Sequence, residues 1–139
     1  MVRRDARAGL AMLAMAATLV AAGCAHRTPL LPGARGAPTE GELTLIDRGP
    51  GVRVIRLQVP DMDSPSVANA DARVYVLWAT RAGDAGPQNV GPLRLDGRRA
   101  NIEAVAPPYD RFRVFVTPER SEDVAAPSHP PLFFADVSR

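Results

Sequence analysis

The sequence predicts an all-β domain of about 100 residues, an immunoglobulin-like or other Greek-key β-sandwich of about seven short strands. Three observations predict it. From residue 42 onward apolar residues recur in short runs with a period of two. No stretch there sustains a period near 3.6. All 14 prolines lie beyond residue 24, mostly in the gaps between the apolar runs. A period of two places alternate side chains on opposite faces of a strand, and a proline in a gap removes an N–H from no hydrogen-bond ladder. With 139 residues the chain has room for one domain, and a domain of this size buries about two thirds of the surface its unfolded chain exposes.

The first element is set apart from that domain. Residues 1–9 (MVRRDARAG) carry three arginines, and residues 10–22 (LAMLAMAATLVAA) are uncharged and apolar. This is the layout of a signal peptide. As a helix the apolar run reaches only about 20 Å, short of a bilayer core of about 30 Å. It ends in Leu19-Val20-Ala21-Ala22-Gly23-Cys24, which resembles the lipobox of bacterial lipoproteins, with Ala21 in place of the commoner Leu. The resemblance implies cleavage before Cys24 and acylation of its thiol, so residues 1–23 are read as a lipoprotein signal peptide and Cys24 as the lipidation site. Its partner is then the membrane, through a palmitate-bearing anchor. Ala25, where an aspartate would signal inner-membrane retention, implies the outer membrane facing the periplasm.

Residues 24–41 read as the lipidated cysteine followed by a flexible tether, because they hold three prolines and three glycines and no sustained apolar period. The β-sandwich domain is assigned to 42–139. Its strands are expected at 43–47 (LTLID), 52–59 (VRVIRLQV), 73–79 (RVYVLWA), 90–95 (VGPLRL), 100–106 (ANIEAVA), 111–117 (RFRVFVT) and 131–137 (PLFFADV). In 73–79 and 111–117 apolar residues occupy both faces or one full face, which predicts central strands paired on each side. In 52–59 the apolar parity shifts between Val54 and Ile55, and a β-bulge near Val54 would account for it.

The stretch Val74-Tyr75-Val76-Leu77-Trp78, then Asn89-Val90-Gly91-Pro92-Leu93, then Phe112-Arg113-Val114-Phe115-Val116-Thr117-Pro118-Glu119 resembles the extracytoplasmic C-terminal domain of anti-sigma-K factors, as does the proline-rich return through Pro127 to Phe134. The resemblance covers just under half of the chain and implies a β-sandwich sensor or interaction module. The sigma-binding helical domain of that family has no counterpart in this sequence, so sigma-factor inhibition does not carry over.

Charge and chemistry narrow the function further. Every basic residue is arginine, and without residues 1–23 the chain carries 14 basic and 14 acidic residues. A balanced chain has no electrostatic footprint for nucleic acid. The one cysteine excludes an internal disulfide. Asp61-Met62-Asp63-Ser64 begins like a calcium loop but lacks its glycine and closing glutamate, so it reads as turn capping and no metal is expected. His26 and His129 lie in loops far apart in sequence and read as solvated. No nucleophile, phosphate-cradling or zinc motif is present, so no catalytic residue and no cofactor are assigned. Trp78, Tyr75 and Tyr109 read as packing rather than as a sugar platform. Phe133 and Phe134 put rings on both faces of one strand and are the candidates for contact with an envelope protein partner. The expectation is a non-enzymatic, lipid-anchored interaction module of the cell envelope. Its alternative is a glycan or small-ligand binder using loops 61–72 and 81–89 at one end of the sandwich.

Overall fold

The computed structural model describes residues 25–33 and 40–138, so the signal peptide, Cys24 and residues 34–39 of the expected tether lie outside the described residues. Ten strands and one helical turn follow one another: β1 (Ala25–Pro29), β2 (Leu31–Pro32), β3 (Glu42–Asp47), β4 (Arg53–Val59), α1 (Pro65–Ala68), β5 (Val74–Thr80), β6 (Gln88–Pro92), β7 (Arg94–Asp96), β8 (Arg99–Val105), β9 (Arg111–Glu119) and β10 (Phe133–Ser138). They form two antiparallel five-stranded sheets, ordered β1-β3-β4-β8-β7 and β2-β10-β9-β5-β6. Within them β3-β4-β8-β7 and β10-β9-β5-β6 follow the two-sheet order of immunoglobulin-like sandwiches, with β1 and β2 added along one edge.

The core lies between the sheets. Leu43, Leu45, Ile55, Leu57, Val59 and Ile102 from the first sheet meet Tyr75, Leu77, Phe112, Val114, Val116 and Phe133 from the second. The pairings stack these residues in rows: Leu43 opposite Leu57 and Leu57 opposite Ile102, then Leu77 opposite Val116 and Val116 opposite Phe133. Because the period is two, a one-residue slip of any strand would turn its whole apolar set to solvent, and this fixes the register.

Each of the seven expected segments is strand, with three differences. First, 90–95 is two strands. β6 pairs with β5, and β7 pairs with β8 in the other sheet. Leu93 is the pivot, buried in the core with its N–H bonded to the Tyr75 carbonyl at 2.8 Å. Gly91, at φ 144°, gives the bend a backbone conformation that a residue with Cβ rarely adopts. Second, no bulge occurs near Val54, since β4 pairs without a break with both β3 and β8. Val52 instead belongs to the turn before β4, where its N–H bonds to the Gly49 carbonyl. Val54 is a regular member of β4 whose side chain lies on the outer face, half-buried, while Ile55, Leu57 and Val59 face the core, so the parity shift needs no bulge. The irregular register sits at Leu77 and Trp78 facing β6.

Third, residues 25–29 and 31–32 of the expected tether are strand. β1 pairs with β3 from Ala25 opposite Ile46 to Pro29 opposite Glu42, and β2 pairs with β10. Residues 25–32 thus pass from the edge of one sheet to the edge of the other, as β6 and β7 do on the opposite side. Edge strands need satisfy only one row of backbone groups, so proline is tolerated there. β1 is almost wholly exposed, and a strand that buries little leaves no apolar period to read.

Candidate functional site

The outer face of the second sheet divides into a covered half and an open half. A row of side chains crosses four strands from the covered half to the open one: Trp78, fully buried, lies opposite Phe115, Phe115 opposite Phe134, and Phe134 opposite Leu31. The Trp78 and Phe115 rings stack with centroids 6.4 Å apart and 18° between their planes. Phe115 and Phe134 are half-buried, and Leu31 is 43% exposed. The next row pairs Arg113 with Asp136 through two hydrogen bonds of 2.7 and 2.9 Å. The Arg113 guanidinium also lies 4.4 Å above the Phe134 ring, a planar cation over an aromatic face. The bidentate contact with Asp136 holds Arg113 protonated and holds the Asp136 carboxyl below the usual carboxylate range. An apolar row flanked by a fixed ion pair is suited to a protein surface that brings an aromatic or aliphatic side chain and a polar rim.

Here Phe133 and Phe134 part company. The alternation of β10 turns Phe133 into the core, 1% exposed, so Phe133 cannot serve as a partner contact, and the expectation for it is corrected. Phe134 faces outward. Phe115 joins it, a residue the sequence pattern gave no reason to single out, because one large apolar residue among outward arginines reads as ordinary alternation.

The covered half is held by a buried carboxylate. Glu119 is 1% exposed. Its oxygens accept from the Thr117 hydroxyl at 2.6 Å, the Ser128 N–H at 2.9 Å and the Ser128 hydroxyl. Thr117 in turn accepts from the Trp78 indole N–H at 2.9 Å. Beyond Ser128, the His129 Nδ1 lies 2.9 Å from the Ser128 oxygen, and the Asn69 amide reaches the His129 Nε2. Donor and acceptor counting assigns these roles: Ser128 spends its one proton on Glu119, so His129 donates through Nδ1 and accepts from Asn69 through Nε2. Burial pushes the Glu119 carboxyl up, but hydrogen bonds from Ser128 and Thr117 and the proximity of His129 outweigh it and leave the group below its ordinary value. In this order the serine proton is directed at the carboxylate, whereas a nucleophilic serine directs it at the histidine. The arrangement ties the segment after β9 back to the sheet at Ser128, and Asn89, which faces Trp78 across β6 and β5, adds two bonds to the Glu122 and Val124 carbonyls.

The remaining sequence candidates find other places. Asp61 and Asp63 both hydrogen-bond to Arg98, Asp63 at 2.7 Å, which ties the loop after β4 to the turn before β8. Among the described residues no three groups of metal-ligating type converge. His129, expected to be solvated, is half-buried in the network above. Trp78 and Tyr75 are buried, and the Tyr75 hydroxyl donates to the Asp63 carbonyl at 3.0 Å. Loops 61–72 and 81–89 precede and follow the seven residues of β5. At about 3.3 Å per residue they lie at opposite ends of the sandwich and cannot form one ligand site. No family model matches this chain, and neither a curated protein nor a solved structure matches it.

Proposed function

We propose that this chain is a lipid-anchored protein of the bacterial cell envelope whose β-sandwich binds a partner protein and performs no chemistry. One observation carries the reading: an arginine-bearing start and an uncharged apolar run of residues 10–22 end in Leu19-Val20-Ala21-Ala22-Gly23-Cys24, the order of a lipoprotein signal. In this reading residues 1–23 are removed, Cys24 carries the acyl chains, and Ala25 directs the product to the outer membrane, facing the periplasm. More than one acyl chain gives an anchor well beyond the marginal hold of a single chain, at about 0.8 kcal/mol per buried CH₂. The described residues contain no helix long and apolar enough to cross a membrane. The similarity of the strands around Trp78 and Phe115 to the anti-sigma-K extracytoplasmic domain supports an interaction or sensor role.

The partner surface is the open row of Phe115, Phe134 and Leu31 beside Arg113 and Asp136. Two measurements test the two halves of the proposal. Wild type incorporates labelled palmitate and Cys24→Ala does not; equal labelling refutes the anchor. A photo-crosslinking side chain placed at Leu31 or Phe134 captures a discrete envelope protein in cells, whereas one at Asn101, exposed on the outer face of the first sheet, does not. Equal capture from both faces refutes the assigned surface.

A further inference from the structure

We propose that the end of the sandwich nearest Cys24 lies directly against the lipid surface, as a second, membrane-contacting face, and does not swing on a stalk. The proposal rests on the anchor reading of Cys24 and adds to it the orientation of the domain.

Its first support is distance along the chain. β1 begins at Ala25, the residue after Cys24, and is hydrogen-bonded to β3 from its first residue, Ala25 opposite Ile46. No free chain separates the acylated residue from the sheet, so acyl chains in the membrane hold this end of the sandwich at headgroup level. The turn 48–52 after β3 is at the same end. So are the end of β8 and the loop 106–110, because the Arg53 side chain donates to the Tyr109 carbonyl at 2.6 Å and the Ala106 N–H bonds to the Arg53 carbonyl at 2.9 Å.

The second support is what this end exposes. Two of the four large apolar residues that stand in solvent among the described residues are here, Val52 at 46% and Val105 at 72% exposed, while Val67 stands at the far end. The same end carries Arg48, Arg81 and Arg111, with Arg48 paired to Glu103 and Arg81 to Asp84. A cleft of about 490 Å³ lies at the same end of the second sheet, lined by Thr80, Arg81, Arg111 and Ser138 among others, and it reaches the Arg113–Asp136 pair that borders the partner surface. Arg111 has no ion pair among the described residues. Apolar side chains with arginine at the same end are what a bilayer interface accepts: the valines enter the acyl boundary, and the guanidinium groups meet lipid phosphates while their stems cover apolar surface. At the far end the loop carboxylates of Asp61, Asp63 and Asp71 are already held by Arg98 and Arg120, and no chain leads from there to the anchor.

The test uses the chain from Cys24 to Arg139, which holds every described residue. Its only thiol is coupled to a maleimide phospholipid in vesicles of phosphatidylethanolamine and phosphatidylglycerol, and hydrogen exchange is compared with the same chain coupled to maleimide polyethylene glycol in solution. Amides of 48–53 and 105–111 should exchange several-fold more slowly on vesicles, and those of 61–72 should be unchanged. In Val52→Asp with Val105→Asp, both exposed positions whose change leaves the fold intact, the slowing should disappear, because fully burying one valine strengthens a contact roughly tenfold. Equal exchange at the two ends, or slowing that survives both substitutions, overturns the proposal. The lipid is attached chemically, so the result is separate from acylation in cells. Missing palmitate in the cell overturns the anchor alone, and an unprotected end on vesicles overturns the docking alone.

Discussion

Glu119 shows how one residue can fasten a long segment without contributing to the core between the sheets. A buried carboxylate is costly unless every lone pair is occupied, and here Thr117 and Ser128 supply the donors. Glu119→Gln puts an amide N–H where an oxygen accepted a proton, leaving two donors face to face. We expect a loss of about 1–3 kcal/mol in urea unfolding. The pH dependence has a definite sign. The folded carboxyl lies below its ordinary value of 4.5, so its contribution is complete above that value and is lost as the pH falls through the folded value. Wild type should therefore lose stability on acidification below about pH 4.5 more steeply than Glu119→Gln, and parallel acid limbs would refute the assignment. Phe133 and Phe134 give a second residue-scale test. Phe133→Ala empties a fully buried site and should cost about 3–5 kcal/mol, whereas Phe134→Ala removes a half-exposed ring under Arg113 and should cost about 1 kcal/mol. Thermal or urea unfolding of the two variants decides it, and similar losses would refute the facing of β10. The sequence placed these rings on opposite faces but could not say which face was covered, because Ala135 and Val137 mark the inward side only once the opposing sheet is known.

At the scale of the element, strands that bury a face were legible and strands that only seal an edge were not. β3, β5, β9 and β10 carry alternating apolar residues that the core requires, and each was expected within two residues of its observed bounds. β1 and β2 hold Pro29 and Pro32, bury almost nothing and pair mainly through backbone, with an exposed Arg27–Glu42 ion pair beside it, so nothing in their composition distinguishes them from a tether. The sheet switch at Leu93 was hidden for a related reason, since a run such as 90–95 keeps its apolar content whichever sheet receives it. The edge pairing can be tested at Gly33. Its N–H bonds to the Leu132 carbonyl at 2.8 Å, and a Cβ there would collide with the Pro131 carbonyl oxygen. Gly33→Val should lift β2 from β10 while the core persists. The expected reading is faster hydrogen exchange at residues 132–134 with unchanged exchange in β4 and β5, as local opening requires. Protection lost uniformly through the molecule would show that β2 is integral to the core.

For the molecule as a whole, the two parts of the proposed site differ in how they are encoded. The proposed anchor at Cys24 is a linear signal, which a sequence can carry because processing of that kind reads a segment before the domain has folded. The open row of Phe115, Phe134 and Leu31 exists only when β9, β10 and β2 lie side by side. Pairing that joins residues so distant in sequence leaves no local pattern, and a residue such as Leu31 looks like any other apolar residue in a proline-rich stretch. The two levels meet at Ala25, which is the first residue of β1 and, under the proposed lipoprotein reading, the position that sorting reads. It is exposed and contributes its backbone to the pairing with Ile46, so a change of side chain should be tolerated by the fold, with an effect within about 0.5 kcal/mol as for ordinary surface positions. Ala25→Asp thus separates sorting from stability. In a host that uses the aspartate retention rule, the variant should move from the outer-membrane to the inner-membrane fraction on a density gradient and keep both its palmitate label and its melting temperature. A variant that stays in the outer membrane would refute the sorting reading, and one that loses its label would place the lipid-processing determinants beyond Cys24. One that melts substantially earlier would show that β1 supports the sandwich through this side chain as well as through its backbone.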